Sequence, residues 1–188
     1  MGYEVLLLAL IAASRAPLVA AAGLLLFTIS ACAGPRRDFA SGLPGGTAMN
    51  VQRAEVVHIS IVAPPRQVIA FLGDMNNWKT WAPWVRSVSR SSARGWTLDT
   101  DVGPMKVRFV EPNSLGVLDH EVTLASGVTV LNSMRVLANG SGSELVMVVF
   151  QSPDASTEQF ERDVQAVRDD LARIKKVAEG MARRKGGI

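Results

Sequence analysis

Few side chains in this sequence have the chemistry to do more than pack, and His120 is the best placed of them. It sits in the run Leu118-Asp119-His120-Glu121-Val122. Asp119 and Glu121 must face water, because an unpaired buried charge is costly, so Leu118, His120 and Val122 face inward. An inward imidazole suits general acid–base work or a hydrogen bond to a ligand carbonyl. A core histidine bonded to a neighbouring strand group or to Asp119 would read the same way, and the sequence places no partner carboxylate. Asn132 is either a cavity amide or a satisfied buried polar group. His58 shares parity with Ser60 and Val62, which puts it outward or at a rim. Three of the four tryptophans, Trp78, Trp81 and Trp84, fall within Asp74–Trp84. They suit an aromatic gate over a cavity, or pins holding short helices to a sheet. Trp96, Phe109, Met134 and Met147 suit an adaptable apolar lining, although plain core looks identical.

Other chemistries find little support. Two histidines without suggestively spaced carboxylates do not make a zinc site, and a single cysteine, Cys32, allows neither a disulfide framework nor a cysteine cluster. No metal or cofactor is expected. The net charge of +3 owes much to Arg183, Arg184 and Lys185, and no basic stripe with interleaved aromatics suggests nucleic acid. At 188 residues one folded domain is expected.

The element that must position these residues is a long helix from Ser156 to about Met181. Phe160, Val164, Val167, Leu171, Ile174, Ala178 and Met181 recur in steps of four and three, giving one apolar stripe. Charged residues, Asp163, Arg168, Asp169, Asp170 and Arg173 among them, are assigned to the other face. At about 1.5 Å per residue the helix would be about 39 Å long. Ser156 and Gln159 have capping-box spacing, and Gly180, Gly186 and Gly187 mark where the helix is expected to fray.

Upstream, Glu55–Ala63 reads as a first strand, ended by Pro64-Pro65. Val68–Leu72 gives a short helix stopped by Gly73, and Asp74 or Asn76 can cap a second. Six strand-like runs follow: Val85–Ser91, Trp96–Thr100, Met105–Glu111, Leu115–Leu124, Val128–Leu137 and Glu144–Phe150. Short turns, including the hairpin signal Asn139-Gly140, make an antiparallel meander. The charges of Lys106, Arg108, Arg135 and Glu144 turn Met105, Val107, Phe109, Met134, Val136, Leu145, Met147 and Val149 inward. The expected architecture is α+β: a curved sheet around the long helix, with a space between.

The first fifty residues differ in character. Residues 5–13 and 16–33 are apolar, split by Ser14 and Arg15. The second run has the shape of a signal-peptide core, and Ile29-Ser30-Ala31-Cys32 resembles the lipobox of bacterial lipoproteins, with Cys32 as lipid anchor. A plain membrane anchor and a translation start at Met49 are the alternatives. The expected organisation is a signal-like or anchor segment over 1–33, a linker over 34–50, the domain over 51–182 and a basic disordered tail over 183–188. The protein would then be tethered to the membrane of the cell envelope, or cytoplasmic if translation begins at Met49.

The order of elements and several local strings resemble the START/polyketide-cyclase superfamily, also called SRPBCC or helix-grip proteins. The strings are Ile61-Val62-Ala63-Pro64-Pro65 with Val68; Asp74 followed by Trp78 and Trp81-Ala82-Pro83; Gly116-Val117-Leu118-Asp119-His120; Met134-Arg135-Val136 before Asn139-Gly140; and the helix holding Asp163, Val167, Asp170 and Leu171. The resemblance covers about Val51 to Glu179. It implies a helix-grip fold: a seven-stranded antiparallel sheet gripping the C-terminal helix around a cavity, with two short helices between strands 1 and 2. It also implies a small apolar ligand, lipid-like or polyketide-like. The residues expected to meet that ligand are Trp78, Trp81, Trp96, Phe109, His120, Asn132, Met134, Met147, Phe160, Val164, Val167 and Leu171. A cyclase or dehydratase using His120 is the second expectation, and sparse ionisable residues at inner positions weigh against it. An interaction module with a filled core is the third.

Overall fold

A computed structural model describes residues 51–93 and 95–185; the apolar segments, the linker and Cys32 lie outside the described residues. Seven strands form one antiparallel sheet in the order β1-β7-β6-β5-β4-β3-β2. They are β1 (Ala54–Ile61), β2 (Val85–Arg90), β3 (Gly95–Thr100), β4 (Gly103–Phe109), β5 (His120–Thr123), β6 (Thr129–Asn139) and β7 (Gly142–Phe150). Strands β2 to β7 meander, and β1 pairs with β7 from Ala54↔Phe150 to Ile61↔Ser143.

Pro64 and Pro65 convert β1 into helix α1 (Pro65–Gly73). Pro64 is extended, and Pro65 occupies the first turn, where no amide hydrogen is needed. Asp74 then begins a 3-10 helix, Met75–Thr80, its carboxylate accepting from the Asn76 amide at 3.0 Å. Both short helices lie between β1 and β2. Helix α2 (Thr157–Lys185) packs on β1, β7 and α1. Phe160, Val164, Val167, Leu171, Ile174 and Ala178 are buried, as their spacing predicts. The sheet meets them with Val57, Ile61, Val107, Met134, Val136 and Leu145. The inward assignments drawn from strand charges hold for Met105, Leu118, His120 and Val122 as well, all of them buried.

Three expectations need correction. Leu115–Leu124 is not one strand; only His120–Thr123 pairs continuously, with a single bridge at Val117↔Arg135. Gly116 is left-handed (φ 73°), and the Asn113 carboxamide accepts from the Leu115 and Val117 amides at 3.1 Å, so a side chain replaces the ladder there. Helix α2 does not fray at Gly180. It runs to Lys185 and carries Arg183 and Arg184, where a disordered tail is expected from the sequence. A helical glycine costs only about 1 kcal/mol against alanine, and Met181 and Ala182 still pack on the core beyond it. Finally, Asp163 and Asp170 are not on the solvent face; both are buried. Ser156 Oγ accepts from the Gln159 amide at 3.2 Å, but the Gln159 side chain turns forward to Asp163 (2.7 Å) instead of closing the capping box. Among the described residues no helix is long and apolar enough to cross a membrane.

Candidate functional site

Between the sheet and α2 lies a cavity of about 190 Å³. Its helix wall is Asp163, Val167, Asp170 and Ile174, spaced four, three and four, so one side of α2 runs along the cavity for about 16 Å. Its sheet wall comes from β4 to β7: Met105, His120, Val122, Asn132, Met134 and Met147. Trp78, Trp81 and Trp84 close it from the 3-10 segment. Leu131 and Phe150, more than half exposed at adjoining ends of β6 and β7, stand at its mouth.

Of the twelve residues expected to meet a ligand, seven line this space: Trp78, Trp81, His120, Asn132, Met134, Met147 and Val167. The other five lie outside its lining. Phe160, Val164 and Leu171 are buried in the main core. Phe109 stacks behind His120, ring centroids 5.0 Å apart. Trp96 packs at the edge of the core under Arg90, whose guanidinium lies 5.5 Å from its ring. His58 is outward, its Nδ1 2.7 Å from Glu144, and holds that carboxyl below its usual range together with Ser60.

The tryptophans both pin and line. Trp78 donates its indole N–H to the Leu72 carbonyl at 3.1 Å, tying the 3-10 helix to α1. The indole N–H groups of Trp81 and Trp84 are buried without a hydrogen-bond partner. Trp78 also packs edge-on against His120, with centroids 5.5 Å apart.

The polar groups of the cavity are mostly acceptors. His120 Nδ1 lies 3.0 Å from the Leu118 carbonyl, which can only accept, so Nδ1 carries the hydrogen. Burial holds its pKa below the ordinary value, against the pull of that carbonyl and of Asp119, so the ring is neutral at pH 7 and Nε2 keeps a lone pair. Asp163 Oδ1 accepts from Gln159, and Asp170 Oδ1 from Arg173. Burial raises both carboxyls to about 6, opposed at Asp163 by Gln159 and Arg162 and at Asp170 by Arg173. Charge alone assigns these two acids to the solvent face of the helix, yet both are buried. Their spacing, in phase with Val167 and Ile174, was the available signal. Among the described residues there is no cluster of three metal-ligating side chains.

A seven-stranded antiparallel sheet closed by a long C-terminal helix over a cavity is the helix-grip architecture. Residues 53–179 match the family described as polyketide cyclase / dehydrase and lipid transport, and the chain belongs to that family. Among solved structures it is similar to the Zhui aromatase/cyclase from Streptomyces sp. R1128, with 17% identity and a TM-score of 0.58 over 73% of this chain and 100% of that one. It is similar too to a START superfamily protein from Mycobacterium smegmatis (10% identity, TM-score 0.52, 70% and 97% covered). A third likeness is to the Aha1 dimer from Colwellia psychrerythraea (13% identity, TM-score 0.53, 68% and 96% covered). At these identities the likeness is one of fold. Among curated proteins nothing matches.

Proposed function

We propose that the protein binds and carries a small apolar molecule in the cavity between the sheet and α2. The observation that supports this best is the lining itself: tryptophan, methionine and branched aliphatic side chains around a space with a few convergent polar groups. The methionines suit a lining that adapts to its occupant. A filled core, as an interaction module would have, fits this space poorly. The test is native mass spectrometry of the protein expressed from its full reading frame in a bacterial host. A bound mass that leaves on denaturation supports the carrier reading. A clean apo mass, unshifted by fatty acids, sterols or aromatic polyketides, overturns it.

A second reading, a cyclase or dehydratase acting on a polyketide-like substrate, is favoured by one specific observation. The neutral His120, with its Nε2 lone pair, shares the cavity with two carboxyls raised to about 6, which is where acid–base partners operate. Unchanged turnover in His120→Ala, on any substrate found, would sink it.

A further inference from the structure

The cavity's hydrogen-bonding capacity is lopsided. His120 Nε2 can only accept while the ring is neutral. The Oδ2 atoms of Asp163 and Asp170 have no donor among the described residues, since Gln159 and Arg173 both engage Oδ1. Donors in the cavity are few: the Asn132 carboxamide, donor and acceptor both, lines the space, whereas the indole N–H groups of Trp81 and Trp84 are sealed within the wall. No lysine or arginine lines the cavity. Arg173 approaches Asp170 from its own helix while donating to the Trp81 carbonyl at 3.1 Å, and Arg162 is engaged by Gln159 at 2.6 Å. The sheet contributes a single titratable lining group, His120. Arg168 is paired with Glu55 of β1, and Arg53, just before that strand, lies over Phe160 near Glu161, so neither arginine supplies a cation to the cavity. An apolar chamber with aromatic walls and two carboxylates, of which Asp170 is ion-paired with Arg173 and Asp163 is held, among the described residues, only by Gln159, favours a cationic guest. The open acceptors call for a hydrogen-bond donor, N–H or O–H, and the indole faces and carboxylates favour one that carries a positive charge.

We infer that the occupant is a hydrophobic amine, its ammonium donating to the free carboxylate oxygen of Asp163 or of Asp170, which stand two helix turns apart, and its apolar body lying against Trp78, Trp81 and the methionines. This rests on the binding reading above and narrows its ligand class. The cation would restore full ionisation to the carboxyl it meets and offset the cost of holding that charge in an apolar wall. Amine binding therefore weakens as the pH drops through the range in which these acids protonate, while the amine itself stays charged.

The test is calorimetric titration of the full chain with three probes on one skeleton: 1-naphthylmethylamine, 1-naphthylmethanol and 1-naphthoic acid. The expected result at pH 7.5 is an amine bound at least about tenfold more tightly than the alcohol, with the acid weakest. Asp163→Asn with Asp170→Asn should erase the preference while leaving alcohol binding in place. The wild type alone should lose about tenfold in amine affinity between pH 8 and pH 5, with the alcohol unchanged. This second arm stands even if the double variant fails to fold. Alcohol or acid binding as tightly as the amine overturns the amine inference and leaves the carrier reading intact. Binding by none of the three overturns both.

Discussion

Arg173 donates from Nε to the backbone carbonyl of Trp81 at 3.1 Å, while its other arm holds the Asp170 carboxylate. One guanidinium thus joins α2 to the tryptophan segment and partly compensates an acid in the cavity wall. A lysine cannot make both contacts with the same geometry.

Arg173→Lys should therefore behave as a loss, not as a conservative change. We expect a destabilisation of about 1–3 kcal/mol by urea unfolding, the range for a lost hydrogen bond to a charged group. Arg162→Lys, on a more exposed partner, should stay within about 0.5 kcal/mol.

Asp170→Asn should stabilise the empty protein at alkaline pH. A carboxyl whose folded pKa is raised to about 6 binds protons more readily folded than unfolded, so it penalises folding above that pH. The penalty lifts as the pH falls from about 6 towards the ordinary carboxylate range. A rise from the ordinary carboxylate value to about 6 corresponds to about 3 kcal/mol at full ionisation, with the pull of Arg173 already included. The variant's advantage should be about 1–3 kcal/mol at pH 8 and shrink towards zero near pH 4. His120 acts in the opposite sense, its depressed pKa withdrawing stability as the pH falls below the ordinary histidine value. The comparison must therefore be variant against wild type at each pH. A gap that does not change with pH would refute the assignment.

Trp78→Phe and Trp81→Phe remove similar volume from adjoining positions. Only Trp78 loses a hydrogen bond, to the Leu72 carbonyl, whereas the Trp81 indole N–H is already unpartnered. Trp78→Phe should cost about 1 kcal/mol more than Trp81→Phe in chemical unfolding. Equal costs would mean that Trp81 finds a partner in solution.

Gly116 is the position least able to take a side chain. Its φ is 73°, and a Cβ there would lie 2.1 Å from the Val136 carbonyl oxygen. The Gly116 carbonyl also accepts from the Val136 amide at 2.9 Å, so the two backbones cannot separate freely. Gly116→Ala should cost at least about 3 kcal/mol, read as a fall in the urea midpoint with the slope unchanged. Gly127→Ala, with open space around it, should cost only the backbone term of about 1–2 kcal/mol.

The sheet was legible because its charges are honest markers. Lys106, Arg108, Glu121 and Arg135 each sit outward beside an inward apolar neighbour, and period two does the rest. The same rule failed on α2. Asp163 and Asp170 flank the apolar stripe on one side, and whether such flanking positions meet water or an internal space depends on how far the sheet curves away from the helix. No residue of α2 records that curvature. For the same reason Val167 and Ile174 face the cavity while Phe160, Val164 and Leu171, of identical periodicity, fill the core. The shortened β5 was hidden by its composition, since Leu115–Asp119 is as strand-like as the residues after it. Only Gly116 hinted at the break.

The neighbour of β1 in the sheet is the last strand of the chain, and this has a consequence for synthesis. Ser143 donates to the Ala63 carbonyl at 2.6 Å across 80 residues of sequence, at the end of a ladder that begins with Ala54↔Phe150. A nascent chain that has delivered only β1 to β6 lacks β7, the strand on which β1 pairs. The amphipathic helix that covers both comes later still. The N-terminal strand must wait, with Val57 and Ile61 uncovered, until nearly the whole chain has emerged, and closing so long a loop slows the final step. For the emerging polypeptide, this interval of exposed β-edge and apolar surface is when a holdase chaperone would matter most.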